Sequence, residues 1–166
     1  MTIKITQKII YLGGIIMSSI LLSGCMKKVE IMNTKSFNFS YSVGTYMNAS
    51  YNYGLELKKD GRYVLSYKPA GVSEEDKMEK EISKDDVLEL EKILIKNNIS
   101  KWDGFHKTDS NVLDGNDFFL NYYRDDSQSI SASGYMKYPS GYNDFKNDII
   151  SFYSKIFPES EEKAAD

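Results

Sequence analysis

His106 is the only histidine in the chain, and histidine is the side chain best suited to acid–base chemistry near neutral pH. A general base also needs a hydrogen-bonding partner and an oriented substrate, which a sequence does not show. Segments that would specify a nucleophile or cofactor, such as G-x-S-x-G, H-E-x-x-H, a P-loop or a glycine-rich dinucleotide turn, do not occur. Any enzyme hypothesis therefore takes the form of a cell-envelope hydrolase with an unrecognised acidic site near His106.

The densest polar cluster lies at residues 109–117, where Asp109, Asp114 and Asp117 are the candidate metal ligands. Calcium prefers such oxygen donors, but the EF-hand pattern is not met. Counting from Asp109, the fifth position is Leu113 and the sixth is Asp114 in place of glycine. The alternative is a turn-rich loop whose Asp and Asn side chains bond to their own backbone. We prefer that interpretation and predict no cofactor.

Tyrosine is common in this chain, with 13 residues, and two of them fall in the short segment 134–139 beside glycine and proline. An exposed tyrosine offers a flat apolar ring and one hydroxyl, which suits the binding of carbohydrate or peptide. Tyrosine also fills the half-buried faces of sheets. Tyr135 and Tyr138 are therefore candidate binding residues, with a framework role as the alternative.

The N-terminus has the pattern of an export signal. Lys4 and Lys8 precede an uncharged, largely apolar run at 9–22, and no acidic residue accompanies them. The run has the length of a signal-peptide apolar region and is shorter than the roughly 20 residues that span a bilayer. Residues 1–24 are therefore predicted to be a signal peptide rather than a permanent transmembrane helix.

The sequence Leu-Ser-Gly-Cys at 22–25 resembles the lipobox of bacterial lipoproteins. The resemblance implies that the thiol of Cys25 receives a diacylglyceryl group and that the bond between Gly24 and Cys25 is cleaved. Two acyl chains anchor a protein stably to a membrane, whereas one does not. The alternative is a buried cysteine that ends an apolar core helix. Because no second cysteine is present, a disulfide within the chain is excluded.

Removal of residues 1–24 takes away two lysines and no acid, which leaves 19 basic and 24 acidic residues in about 142. This acidic balance excludes a typical nucleic-acid partner, because such binding requires a basic face. The remaining length suits one domain. We expect a lipidated Cys25 and tether at 25–35, a domain at 36–157 and a polar tail at 158–166.

Alternating apolar residues predict strands at 37–43, 51–57, 63–67, 118–122 and 129–133, with 69–82 as a charged connection. Helical spacing predicts one helix between Ser83 and Asn97 and another after Gly141. Strands with one apolar face, in the order βββ-α-ββ-α, favour an α+β fold. The prediction is an antiparallel sheet of about five strands with two helices packed on one face.

A further resemblance covers residues 51–157. The segments Ile-Ser-Lys-Trp-Asp-Gly-Phe at 99–105, Val-Leu-Asp-Gly at 112–115 and Ser-Ala-Ser-Gly-Tyr-Met at 131–136 resemble uncharacterised lipoproteins and exported proteins of clostridia and related Firmicutes. That family has no known activity. The resemblance implies framework roles for Trp102, Gly104, Phe105, Asp114 and Gly115.

Together these patterns predict an extracytoplasmic lipoprotein held on the cell membrane through Cys25. The abundance of Lys, Ile, Asn and Tyr favours a Gram-positive source, where the domain would face the wall. A small binding or accessory module is favoured over an enzyme, because lipid anchoring raises the local concentration of a domain near a partner. An envelope protein or a glycan would be that partner.

Overall fold

This computed structural model describes residues 33–44, 50–125 and 128–158. In chain order its elements are β1 (Thr34–Ser42), β2 (Ser50–Leu57), β3 (Tyr63–Lys68), β4 (Met78–Ile82), α1 (Lys84–Lys96), a 3-10 turn (Ile99–Trp102), β5 (Phe105–Thr108), β6 (Asp117–Arg124), β7 (Ser129–Tyr135) and α2 (Tyr142–Ile156). The mixed α+β class is confirmed. β1 starts at Thr34, so two residues predicted to belong to the tether are part of the sheet.

Within the described residues the strands form a seven-stranded sheet in the order β4-β3-β2-β1-β6-β7-β5. Neighbouring strands are antiparallel except β5 and β7, which are parallel. The predicted count of about five strands is therefore too low, and the sheet is not wholly antiparallel. The two additional strands, β4 and β5, are the two edges.

The missed strands are short and charged, which is a common property of sheet edges. β4, with the sequence Met-Glu-Lys-Glu-Ile, lies in the segment predicted to be a connection; only its end residues, Met78 and Ile82, are half-buried. β5 is four residues long and half-buries only Phe105. The alternation of apolar residues is too short in either segment to predict a strand. Both segments become strands because they pair with a neighbouring strand, β4 with β3 and β5 with β7.

One face of the sheet is covered by both helices. Phe37 and Phe39 of β1 point to that face, and both rings contact Phe145 of α2 at centroid distances of 6.5 and 5.1 Å. Side chains from every central strand and both helices complete this core, including Tyr53, Leu55, Leu65, Leu90, Leu94, Leu120, Tyr122, Ile149 and Phe152. Phe145 is fully buried, so its truncation to alanine would destabilise the fold by about 3–5 kcal/mol.

Both helices begin where the sequence predicts. Ser83 and Asp86 form a reciprocal capping box at the start of α1, which satisfies two backbone N–H groups that have no partner within the helix. α2 begins after Gly141, whose φ of 81° lies in the left-handed region that glycine adopts without strain. These caps fix where both helices begin. Among the residues that the structure describes, no helix covers the other side of the sheet.

Candidate binding surface

The side of the sheet opposite the helices has short polar side chains at its centre. The strand pleat places alternate residues of β1, β6 and β7 there. We define the open face as Ser36, Asn38, Ser40, Phe119, Asn121, Tyr123, Ser129, Ser131, Ser133 and Tyr135. None of these side chains is charged, although 27% of the residues in the chain are. On this side of the sheet, the nearest charged residues are Asp117 at the start of β6 and Glu56 of β2, which is opposite Ser36. The middle of the open face is therefore an uncharged patch within a highly charged protein.

Two aromatic rings project from the open face. Phe119 and Tyr123 of β6 are 41% and 49% exposed, whereas the alternate residues of the same strand are buried. They are four residues apart, which corresponds to about 13–14 Å along a strand. Asn121 lies between them on the same face. The rings are thus two separate contact points with an amide group in the middle.

Strand register aligns hydroxyl and amide groups around these rings. Phe119 is opposite Ser40 of β1 and Ser133 of β7. Two residues further along β6, Asn121 is opposite Asn38 of β1 and Ser131 of β7. Such side chains both donate and accept hydrogen bonds. The surface is consequently suited to a ligand that carries many hydroxyl or amide groups.

His106 also belongs to this side of the sheet. It lies on edge strand β5 in register with Ser133, and its Nδ1 is 2.8 Å from the Ser133 hydroxyl oxygen. The imidazole is exposed. The sequence did not reveal this partner, because 27 residues separate the two positions.

The loop at 109–117 is held at one end of the open face by Tyr135. The hydroxyl of Tyr135 donates to the Leu113 carbonyl at 2.8 Å, and the Asp109 N–H donates to the Tyr135 carbonyl at 2.9 Å. Leu113 at the tip of this loop is 94% exposed. Tyr135 therefore positions the loop with its hydroxyl while its ring remains half-buried.

The three predicted metal ligands are not brought into one cluster. The Asp109 carboxylate pairs with the Lys137 ammonium at 2.9 Å and accepts a hydrogen bond from the Asn111 N–H at 3.1 Å. The Lys137 contact, supported by the Asn111 N–H, holds the pKa of Asp109 below its usual value. Among the residues that the structure describes, no group of three or more His, Cys, Asp or Glu side chains could hold a metal ion. The Asp109 contact to Asn111 is the backbone-bonding turn favoured above.

Tyr138 lies on the helix side of the sheet and is 38% exposed. Its ring stacks on Tyr142 at 4.5 Å, and its hydroxyl donates to the Asn116 carbonyl at 3.2 Å. Partial burial, with a smaller effect from Asp117, raises the pKa of Tyr138. Tyr135 and Tyr138 therefore do not form one patch, since they lie on opposite sides of the sheet although both hydroxyls bond to the loop at 109–117.

Sequence reasoning missed Phe119, Asn121 and Tyr123 as binding candidates. The signal was present in the strand sequence Asp-Phe-Phe-Leu-Asn-Tyr-Tyr-Arg. If Phe118, Leu120 and Tyr122 face the core, the three residues between and after them must face outward. Two adjacent aromatic pairs in one strand thus indicate an aromatic residue on each face.

The predicted cleavage site at Gly24 and Cys25 and the rest of the predicted signal lie outside the described residues. Within the described part of the chain, no helix is both long enough and apolar enough to cross a membrane. No protein-family model matches the chain, and no curated protein matches it.

Proposed function

We propose that this protein is an extracytoplasmic lipoprotein, anchored in the cell membrane by a diacylglyceryl group on Cys25, whose domain binds an envelope partner through the open face. The sequence at 22–25 and the preceding Lys4, Lys8 and apolar run support the anchor. The domain then supplies a binding function within a limited distance of the membrane.

The observation that carries the binding function is the exposure of Phe119 and Tyr123 at the uncharged centre of the open face. Aromatic residues are enriched where proteins recognise partners, because their rings bury a large area at a low cost in conformational entropy. Both rings stand on a strand of a rigid sheet. Little ordering is therefore needed when a ligand binds.

The predicted tether supports the same function. Seven residues lie between Cys25 and Asn33, and the eight Cα-to-Cα steps across them span at most about 29 Å when fully extended. β1 begins directly afterwards at Thr34 and runs along the open face. Anchoring would therefore keep this face close to the membrane and raise its effective concentration for an envelope partner.

Sedimentation with isolated envelopes tests the proposal. The full chain, purified from a Gram-positive host in detergent, is expected to sediment with envelopes from that host, and Phe119→Ala and Tyr123→Ala are each expected to reduce the bound fraction. Ile95→Ala is the matched control, because Ile95 is also 41% exposed but lies on α1. Equal sedimentation of all variants would exclude the open face as the recognition surface.

The contact between His106 and Ser133 favours a second candidate, a cell-envelope hydrolase in which His106 activates the Ser133 hydroxyl. A histidine within hydrogen-bond reach of a serine is the first requirement for such a nucleophile. This candidate predicts that His106→Ala and Ser133→Ala each abolish the release of soluble fragments from labelled envelopes. Absence of any release by the wild-type protein would reject it.

A further inference from the structure

We infer that the ligand of the open face is an uncharged glycan chain that lies along β6. This inference rests on the proposed function, since it names the chemical class that the same surface binds. Two exposed rings, Phe119 and Tyr123, support the inference together with Asn121, which lies between them. Serine or asparagine residues lie beside these three on both neighbouring strands.

Charge excludes the polyanionic partners. Binding to phosphates or carboxylates normally uses Arg or Lys side chains, and the open face has neither. Charged residues on this side of the sheet surround that centre, at Asp117 at the start of β6, Glu56 of β2, Lys68 of β3, and Glu79 and Glu81 of β4, so that acids outnumber the one lysine. An uncharged ligand therefore complements the centre of the surface.

The pattern of polar and apolar groups favours a glycan over a protein partner. The core of a protein interface is usually a contiguous apolar patch. Here a row of amide and hydroxyl groups, Asn38, Asn121 and Ser131, separates the two rings by about 13–14 Å along the strand. A pyranose chain has both matching parts: C–H faces that stack on rings, and hydroxyl groups that pair with Asn and Ser.

The spacing also predicts a minimum ligand length. One sugar unit contacts one ring, whereas a chain of several units reaches Phe119 and Tyr123 together. Affinity should therefore rise with chain length until both rings are covered. The gain should disappear when either ring is removed, because the second contact is then lost.

The test uses the full chain purified in detergent and envelope glycan from which proteins and anionic polymers have been stripped by protease and mild acid. The wild type is expected to sediment with this glycan, and chitohexaose is expected to compete better than chitobiose. Phe119→Ala and Tyr123→Ala should each weaken binding about tenfold, a typical effect of truncating a central aromatic residue. Phe119→Tyr and Tyr123→Phe keep an aromatic ring and should bind as the wild type does, and Ile95→Ala should have no effect on binding.

The outcomes separate this inference from the proposed function. If untreated envelopes bind the protein through both rings but the stripped glycan does not, the glycan inference is overturned and the binding function stands. If neither preparation shows binding that depends on the rings, both are overturned. Concentration-dependent dimerisation that Phe119→Ala abolishes would assign the open face to a second copy of the chain and overturn the inference as well.

Discussion

Glu91 of α1 binds Thr34, the first residue of β1, through two hydrogen bonds to one carboxylate oxygen. The Thr34 N–H donates to Oε1 at 3.0 Å, and the Thr34 hydroxyl donates to the same oxygen at 2.7 Å. The Tyr122 hydroxyl lies 3.1 Å from the Thr34 hydroxyl oxygen. Because Thr34 and Glu91 are both buried, this contact fixes the start of β1 to the helical layer.

Glu91→Ala is expected to lower the free energy of unfolding by about 2–3 kcal/mol, because it removes the acceptor of two buried donors of Thr34, of which only the hydroxyl has another partner among the described residues, Tyr122. Chemical denaturation measures the change. Glu89→Ala is the control from the same helix: Glu89 pairs with Lys155 at the surface, where such a pair contributes at most about 1 kcal/mol. Similar losses in the two variants would contradict a structural role for the Thr34 contact.

Cys25→Ser removes the proposed attachment point of the lipid. Expressed in a Gram-positive host, the variant should accumulate as an uncleaved precursor or appear in the medium, whereas the wild type should fractionate with membranes. Mass spectrometry of the wild-type N-terminus should show a diacylglyceryl group on Cys25. Identical fractionation of both proteins without lipid on the wild type would reject the anchor.

Residues 33–158 should fold without metal, since their apolar core is complete. Thermal unfolding of this segment should give the same midpoint with EDTA and with calcium, because a ligand that does not bind the native state cannot stabilise it. A calcium-dependent rise of several degrees would instead identify Asp109, Asp114 and Asp117 as ligands. Asp109→Asn would then have to abolish the rise.

Asp148 of α2 joins the two helices, because its carboxylate accepts hydrogen bonds from the Lys96 ammonium and the Asn97 amide at 2.8 Å each. These contacts lower the pKa of Asp148, with Lys96 as the larger cause. A lowered pKa contributes stability that is present above the unfolded value near 4 and is lost as the pH falls through the folded value. Asp148→Asn should therefore cost a few tenths to about 1 kcal/mol at neutral pH. In acid-unfolding curves its difference from the wild type should disappear at low pH.

Buried tyrosines should limit stability at high pH. Burial raises the pKa of Tyr53, Tyr142 and Tyr153, and the Tyr153 hydroxyl also donates to the Gly54 carbonyl at 2.8 Å. A raised pKa contributes stability that is full below the unfolded value of about 10 and is lost as the pH rises through the folded value. Spectroscopic titration should show one group of tyrosines that ionises normally and a second that ionises only with unfolding. One smooth ionisation of all tyrosines in the native state would contradict their burial.

The elements that the sequence predicted correctly are those determined by residues close together in the chain. The capping box at Ser83 and the alternation of Phe37, Phe39 and Tyr41 are properties of adjacent residues, so the sequence shows them directly. β4 and β5 could not be recognised in this way, because their neighbours in the sheet determine them.

In the candidate site too, some features follow from adjacent residues and others from contacts between distant residues. Tyr135 and Tyr138 were identifiable as a local concentration of tyrosine, but their separation to opposite sides of the sheet depends on the strand pleat and on the stacking of Tyr138 on Tyr142. The contact of His106 with Ser133 depends on parallel pairing at the edge of the sheet. Only the outward direction of Phe119 and Tyr123 could have been derived in advance, from the inward direction of their neighbours.

The position of β1 has a mechanical consequence. β1 is joined to the N-terminal segment and lies in the middle of the sheet, where it is paired with β2 on one side and β6 on the other. When the opposing load acts along the strand direction, tension at the N-terminus would load the backbone hydrogen bonds of β1 to both neighbours in shear. An edge strand, by contrast, could be peeled away one bond at a time. A domain loaded in this way should resist stretching as one unit and then rupture abruptly, a property that would suit a domain held through the proposed anchor on its N-terminal side.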